Sequence, residues 1–130
     1  MDAKRSTLEF TVTLLEVEPP VWRRIEVPAS YTFWDLHVAI QDAMGWLDYH
    51  LHLFRVRDDI TGATAEIGIP NPDPFLGDPA WLPGWEVPVT GYLDEPGDRA
   101  TYEYDFGDGW VHEVELVAIV VGWVASKAVH

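Results

Sequence analysis

Along residues 8–14, apolar Leu8, Phe10, Val12 and Leu14 alternate with polar Glu9, Thr11 and Thr13. A period of two with one apolar side predicts a half-buried strand. Leu15 and Val17 break the phase, which predicts a bulge or burial on both faces. Glu18-Pro19-Pro20 turns the chain, and residues 21–27 read as a second strand closed by Pro28. Val21, Arg23, Ile25 and Val27 share one face of it; Trp22, Arg24 and Glu26 share the other. So short a connection predicts an antiparallel hairpin. The period then changes. Phe33, Leu36, His37, Ile40 and Met44 follow helical spacing, Thr32 with Asp35 three residues on is a capping signal, and Gly45 suits a helix stop. The pattern predicts a helix over 33–44 that buries those five side chains and turns Asp35, Gln41 and Asp42 towards water.

Beyond the helix, His50, His52, Phe54 and Val56 alternate with Leu51, Leu53, Arg55 and Arg57, a third strand over 50–57. Turn residues Asp58-Asp59 and Thr61-Gly62 precede a short strand marked by Ala65, Ile67 and Ile69. Residues 70–97 hold seven of the ten prolines together with Trp81 and Trp85. A disordered linker would lack aromatics, so this stretch is expected to be a partly packed loop. The chain then carries its strongest hairpin signal. Tyr102, Tyr104 and Phe106 alternate with acids, Gly107-Asp108-Gly109 turns, and Trp110, His112, Val114, Leu116, Ala118 and Val120 continue one apolar face. A two-residue loop at Asp108-Gly109 would mix apolar and charged residues on each face. A three-residue loop keeps one face apolar by pairing Phe106 with Trp110, Tyr104 with His112 and Tyr102 with Val114, and it gives Gly109 the left-handed bulge position. His112 then faces the core beside Tyr104, and Asp105 points away from it.

These elements predict one α+β domain over residues 1–130. It comprises a β-hairpin, one helix packed across a mixed or antiparallel sheet, and a C-terminal β-hairpin, with the long Pro/Trp-rich loop covering an edge or an end. The order is β-grasp-like by analogy. Hydrophobic residues make up 48% of the 130, enough for one core, and seven tryptophans supply much of its bulk. No apolar run approaches the roughly 20 residues of a membrane helix, so no membrane partner is expected. The first ten residues carry Lys4 and Arg5 without an apolar core, so no secretory leader is expected. The absence of cysteine excludes disulfides, thiolate zinc sites and a cysteine nucleophile, and it fits a reducing, cytoplasmic setting. Net charge is −14 and uneven: residues 1–57 hold eight acids and six bases, residues 58–130 fourteen acids against Arg99 and Lys127. That second half repels phosphate, so nucleic acid is an unfavoured partner. The acids themselves read first as a solubilising surface.

Four strings carry a family resemblance. They are P-P-V-W-R-R-I-x-V-P, T-F-x-D-L-H-x-A-I-Q-x-A-M-G-W, H-L-H-x-F and Y-x-Y-D-F-G-D-x-W-x-H, in that order between Pro19 and His112. Together they resemble the Ri-plasmid open-reading-frame-three-like family. The resemblance implies an α+β fold, an association with plasmids or mobile elements, and no assigned activity. Such proteins sometimes carry a resolvase label. The sequence gives that label no support, since Ser6, Ser30 and Ser126 lack the arginine setting of a serine recombinase and no basic tail follows. Members of the family usually continue past the last strand into a segment with cysteine and a Pro-Pro-Glu-Asp-like string, which this sequence, ending at His130, does not contain.

Two sets of residues are candidates for chemistry. His50 and His52 have the strand spacing often used by metal ligands, and His37, Asp105, Asp108 and His112 are the groups that could join them. The simpler account makes each histidine a hydrogen-bonded residue at the core margin and Asp108 a turn former. Asp105-Phe106-Gly107 matches a kinase tripeptide without any of its companion motifs, so it carries no assignment. The second set is aromatic. Trp22 with Arg24 could capture an anion, although cross-strand pairing with an acid explains the arginine as well. Trp46, Trp81, Trp85 and Trp110 could line a groove under the proline-rich loop, or fill the core. The expectation is a non-catalytic module that binds protein or peptide through Trp22, Arg24, Trp46, Trp81, Trp85 and Trp110, with no cofactor. The alternative is a metal-dependent hydrolase using His50, His52 and Asp105, Asp108 or His112. A DNA transaction rests on the resemblance alone, against the charge. Edge strands permit a dimer without requiring one.

Overall fold

The computed structural model describes residues 3–48, 50–58, 60–70 and 81–124, with backbone alone at 3–5, 123 and 124. The elements are β1 (Ala3–Leu14), β2 (Val21–Pro28), α1 (Phe33–Met44), β3 (His52–Arg57), β4 (Thr64–Gly68), β5 (Leu82–Pro83), β6 (Arg99–Tyr104) and β7 (Trp110–Val124). Short 3-10 turns occupy Gly84–Glu86 and Val89–Gly91. Among the described residues the strands form one seven-stranded sheet in the order β2-β1-β7-β6-β3-β4-β5. Every pairing is antiparallel except β4 with β5, so the sheet is mixed. The fold is therefore α+β, with one helix on a mixed sheet. Part of the loop expected over 70–97, residues 71–80 with Pro72, Pro74 and Pro79, lies outside the described residues, as do Tyr49 and Asp59.

Helix α1 begins and ends on its local signals. The Thr32 hydroxyl accepts from the Asp35 backbone N–H, the Asp35 carboxylate accepts from the Thr32 N–H, and Gly45 closes the helix in the left-handed region at φ 76°. An aspartate thus completes the capping box usually made by glutamate. The buried face is Phe33, Leu36, His37, Ile40 and Gln41. Gln41, expected on the wet side, is only 4% exposed. Its amide is fully used indoors, which is why burial is tolerated.

One sheet face and α1 enclose the core. Leu8, Phe10 and Val12 of β1, Phe54 and Val56 of β3, Tyr102 of β6, and Val114 and Leu116 of β7 contribute to it. Phe33 meets Phe54 edge-on at 5.1 Å, which joins helix to sheet. The opposite face carries crossed charges: Arg24 with Glu9, Arg55 with Glu66 and Glu103, and Arg99 with Glu113 and Glu115.

Five expectations need correction. The C-terminal hairpin pairs Tyr104 with Trp110 and Tyr102 with His112, so its loop is the five residues 105–109. A register slip of two keeps the same side chains facing inward, so the alternation cannot tell it from a three-residue loop. The phase break after Leu14 is a turn with Glu16 at φ 62°. The bulge lies between Glu9 and Phe10 against β7, where Leu116 pairs with Phe10 and Ala118 with Glu9. Val117 is the extra residue, and it moves Ala118 and Val120 to the face opposite Leu116. Strand β3 starts at His52, leaving His50 exposed ahead of it, and Ile69 falls beyond the end of β4.

Candidate functional site

The inward histidines gather around Tyr102. Its hydroxyl accepts from Gln41 Nε2 at 2.8 Å and donates to His37 Nδ1 at 2.7 Å. On the far side of the ring, His37 Nε2–H donates to Asp48 Oδ1 at 2.9 Å, and the Asp48 backbone N–H donates to Gln41 Oε1 at 2.8 Å. Four hydrogen bonds thus close a cycle, Gln41 to Tyr102 to His37 to Asp48 to Gln41. Each donor and acceptor role is the one its group can play when His37 is neutral. His112 is fixed in the same way. Its Nδ1–H donates to the Tyr102 carbonyl at 3.0 Å, and its Nε2 accepts from the Trp46 indole N–H at 3.2 Å. With one nitrogen donating and the other accepting, this imidazole too is neutral.

His52 stacks face to face on His37, ring centres 3.6 Å apart and 9° from parallel. Its Nδ1 is buried without a hydrogen-bond partner among the described residues. Burial, with the neighbouring His37 adding to it, pushes the His52 pKa down to about 3. Burial also lowers His37, partly opposed by Asp48, and lowers His112, partly opposed by the Tyr102 carbonyl. Burial raises the Tyr102 hydroxyl. The line Asp48–His37–Tyr102 has the order of an acid–base relay, but Tyr102 is 0% exposed and its hydroxyl is engaged on both sides. No substrate reaches it, and its work is to hold α1 on β6.

The surface site lies at the other end of this network. An open cleft of about 310 Å³ is lined by Trp46, His50, Tyr104, Asp105, Asp108 and Trp110, with Gly45 and Leu47 at its margin. Trp46 is held from behind by its bond to His112. Its ring lies 5.7 Å from Trp110 at 33° and 5.5 Å from Tyr104 at 36°, so the three rings form a shallow fan around Trp46, with Tyr104 only 3% exposed. Across from them, Asp105 takes a left-handed backbone at φ 61° and anchors the turn. Its N–H donates to the Leu51 carbonyl, its carbonyl accepts from the Gly109 N–H, and its Oδ1 accepts from the Asp108 N–H at 3.4 Å. Gly109 at φ 71° holds the left-handed position expected of it. Asp105 Oδ2 lies 3.6 Å from His50 Nε2.

The two candidate sets of the sequence therefore meet in part. Trp46 and Trp110 share one cleft with His50, Asp105 and Asp108. His52 and His112 lie in the core, each on a different side of Tyr102's neighbourhood, and do not line the cleft. Among the described residues no group of three His, Cys, Asp or Glu side chains is placed to hold a metal ion. Trp22 and Trp85 are exposed at 56% and 51% and stand apart from the cleft, while Arg24 is taken up by Glu9 at 2.8 Å. Trp81 packs edge-on against Phe106 at 6.0 Å, beside the same turn. Asp48 and Gln41 were not singled out from the sequence. The i, i+4 spacing of His37 and Gln41 on one helical face was the available signal.

Fold and site together define an α+β protein with a single helix across a mixed sheet and an aromatic, acidic cleft at one hairpin turn. The chain belongs to the plasmid pRiA4b ORF-3-like family, whose model matches residues 6–127. It is 37% identical over 112 residues to the uncharacterized protein y4hQ of Sinorhizobium fredii (strain NBRC 101917 / NGR234), a match covering 85% of this chain and 53% of the relative. It is also similar to the crystal structure of the protein of unknown function MM3350 from Methanosarcina mazei Go1. That match has a TM-score of 0.77 and 32% identity, and it covers 97% of this chain and 66% of the other. The chain thus spans about half the length of one relative and under two thirds of the other. Among the described residues no helix is long and apolar enough to cross a membrane.

Proposed function

We propose that this protein is a non-catalytic interaction module of the cytoplasm that captures a segment of another protein in the cleft lined by Trp46 and Trp110. The observation that carries the reading is the cleft itself. It is open, walled by three aromatic rings, and held by a rigid buried frame rather than by loops alone. Tryptophan and tyrosine supply large contact area at small entropic cost, which is why they anchor peptide recognition. Leu47 and Leu51, 70% and 55% exposed, border the same corner and extend the apolar surface available to a segment longer than one residue. The Asp48–His37–Tyr102 line, exposed only at Asp48, supports a structural role for the inward histidines, because each of its groups is used to hold the frame.

The test is selection of a random-sequence peptide display library on the purified chain, with Trp110→Ala as the counter-target. The reading predicts peptides that bind the natural chain and lose about tenfold or more of their affinity on that substitution, the size of a modest hot spot. Failure to enrich any peptide that distinguishes the two proteins would overturn it.

A further inference from the structure

The lining of the cleft narrows the kind of segment that fits. We propose that the anchor residue of the bound segment is a basic side chain, with arginine favoured over lysine, held between the aromatic fan and the carboxylates of Asp105 and Asp108. This rests on the reading of the cleft as an interaction site and specifies its ligand chemistry.

Two features of the wall point to a cation. Trp46 and Trp110, both partly exposed, line the cleft beside the 3%-exposed Tyr104, and the face of an aromatic ring is its negative side. The 105–109 turn brings two carboxylates to the same lining. Asp108 is exposed and, among the described residues, its carboxylate has no ion-pair or hydrogen-bond partner. Asp105 has the imidazole of His50 at 3.6 Å from Oδ2 and the Asp108 N–H at 3.4 Å from Oδ1, and no cationic side chain other than that imidazole among the described residues.

Among the described residues no arginine or lysine lines the cleft. On the same sheet Arg55 is paired with Glu66 and Glu103, and Arg99 with Glu113 and Glu115. An apolar or proline-rich segment laid here would strip water from two unbalanced carboxylates, which is costly. A guanidinium reverses that cost. Its plane stacks on an indole face while its fork of donors reaches both carboxylates, which a lysine ammonium does less well. The net charge of −14, most of it in the half of the chain that builds this turn, also draws a cationic segment towards the surface.

The experiment is titration of the full chain with a capped Ala-Arg-Ala peptide and its lysine, citrulline and leucine analogues. It follows the indole N–H signals of Trp46 and Trp110, with Trp22 as the remote control. The proposal predicts saturable shifts of Trp46 and Trp110 with the arginine peptide, weaker ones with lysine, and none with citrulline, which keeps the shape and loses the charge. Added salt and the pair of substitutions Asp105→Asn and Asp108→Asn should each weaken arginine binding, the pair by roughly tenfold if two partly exposed ion pairs are lost. Asp105 anchors the turn, so Asp108→Asn alone is the companion variant, and it should weaken binding about threefold with the Trp22 signal unmoved. Equal shifts with the leucine or citrulline peptide, or arginine binding indifferent to both aspartates, would overturn the basic anchor. If display selection still gives Trp110-dependent binders in that event, the interaction reading stands without it. If selection gives none, both fall.

Discussion

Tyr102 is the residue on which most of the interior depends. Its hydroxyl joins Gln41 to His37, its carbonyl holds His112, and its ring packs on Phe54 at 4.8 Å. Removing the hydroxyl in Tyr102→Phe leaves the Gln41 amide and a His37 nitrogen without their partner while changing little volume. Loss of one such buried partner costs about 1–3 kcal/mol, to be read from urea unfolding. The stacked pair of His37 and His52 makes a second prediction, about pH. Unfolded, His52 takes a proton near its ordinary value of 6.5; folded, it does so only near about 3. Between those values the unfolded chain holds the extra proton, so stability falls as pH is lowered from 6.5 towards 3. One such site contributes a slope of about 1.4 kcal/mol per pH unit. His52→Leu should flatten the measured dependence of the unfolding midpoint on pH; a dependence as steep as before would assign the acid sensitivity elsewhere. At this scale the sequence was only partly readable. Helical spacing marks His37 as inward, but the same wheel places Gln41 at its border, and only the meeting with Tyr102, 61 residues away, decides that it turns in.

The elements were the most legible level, because their signals are local. The Thr32/Asp35 box and Gly45 bound the helix with no help from the tertiary fold. The alternating runs gave β1, β2 and β6 with their faces. What local pattern does not encode is register. The C-terminal hairpin slips by two residues and the bulge opposite Glu9 and Phe10 changes phase within β7, and both are decided by the partner strand. Two glycines separate these influences. Gly45→Ala adds a Cβ that meets nothing within 4 Å, so only the left-handed backbone at φ 76° resists it, at a cost of about 1 kcal/mol. Gly68→Ala puts a Cβ 2.9 Å from the His52 carbonyl oxygen, on the partner strand of β4. Backbone must move there, and the loss of thermal stability should exceed that of Gly45→Ala. Equal losses would mean that β3 and β4 part more easily than their spacing implies.

On the scale of the whole molecule, the histidines and the tryptophans divide the labour. The sequence offered them as rival sites because it shows His50 and His52 two residues apart and cannot show that the strand begins between them. In the fold, His52 and His112 are interior frame, His50 stands at the surface, and Trp46 bridges the two, bonded to His112 through its indole N–H and lining the cleft. The cleft is thus a surface feature with a buried foundation. Substitutions in the foundation should lower stability and binding together, whereas substitutions in the lining that lack inward bonds should affect binding alone. Trp110 meets that second condition, since its described ring contact is with Trp46, another residue of the lining. The most direct test measures two quantities on Trp110→Ala, the unfolding midpoint and the affinity for a peptide selected on the natural chain. The account predicts an affinity reduced about tenfold or more with an unfolding free energy changed by no more than about 1 kcal/mol. An unchanged affinity, or a loss of binding that merely follows the loss of folded protein, would contradict it.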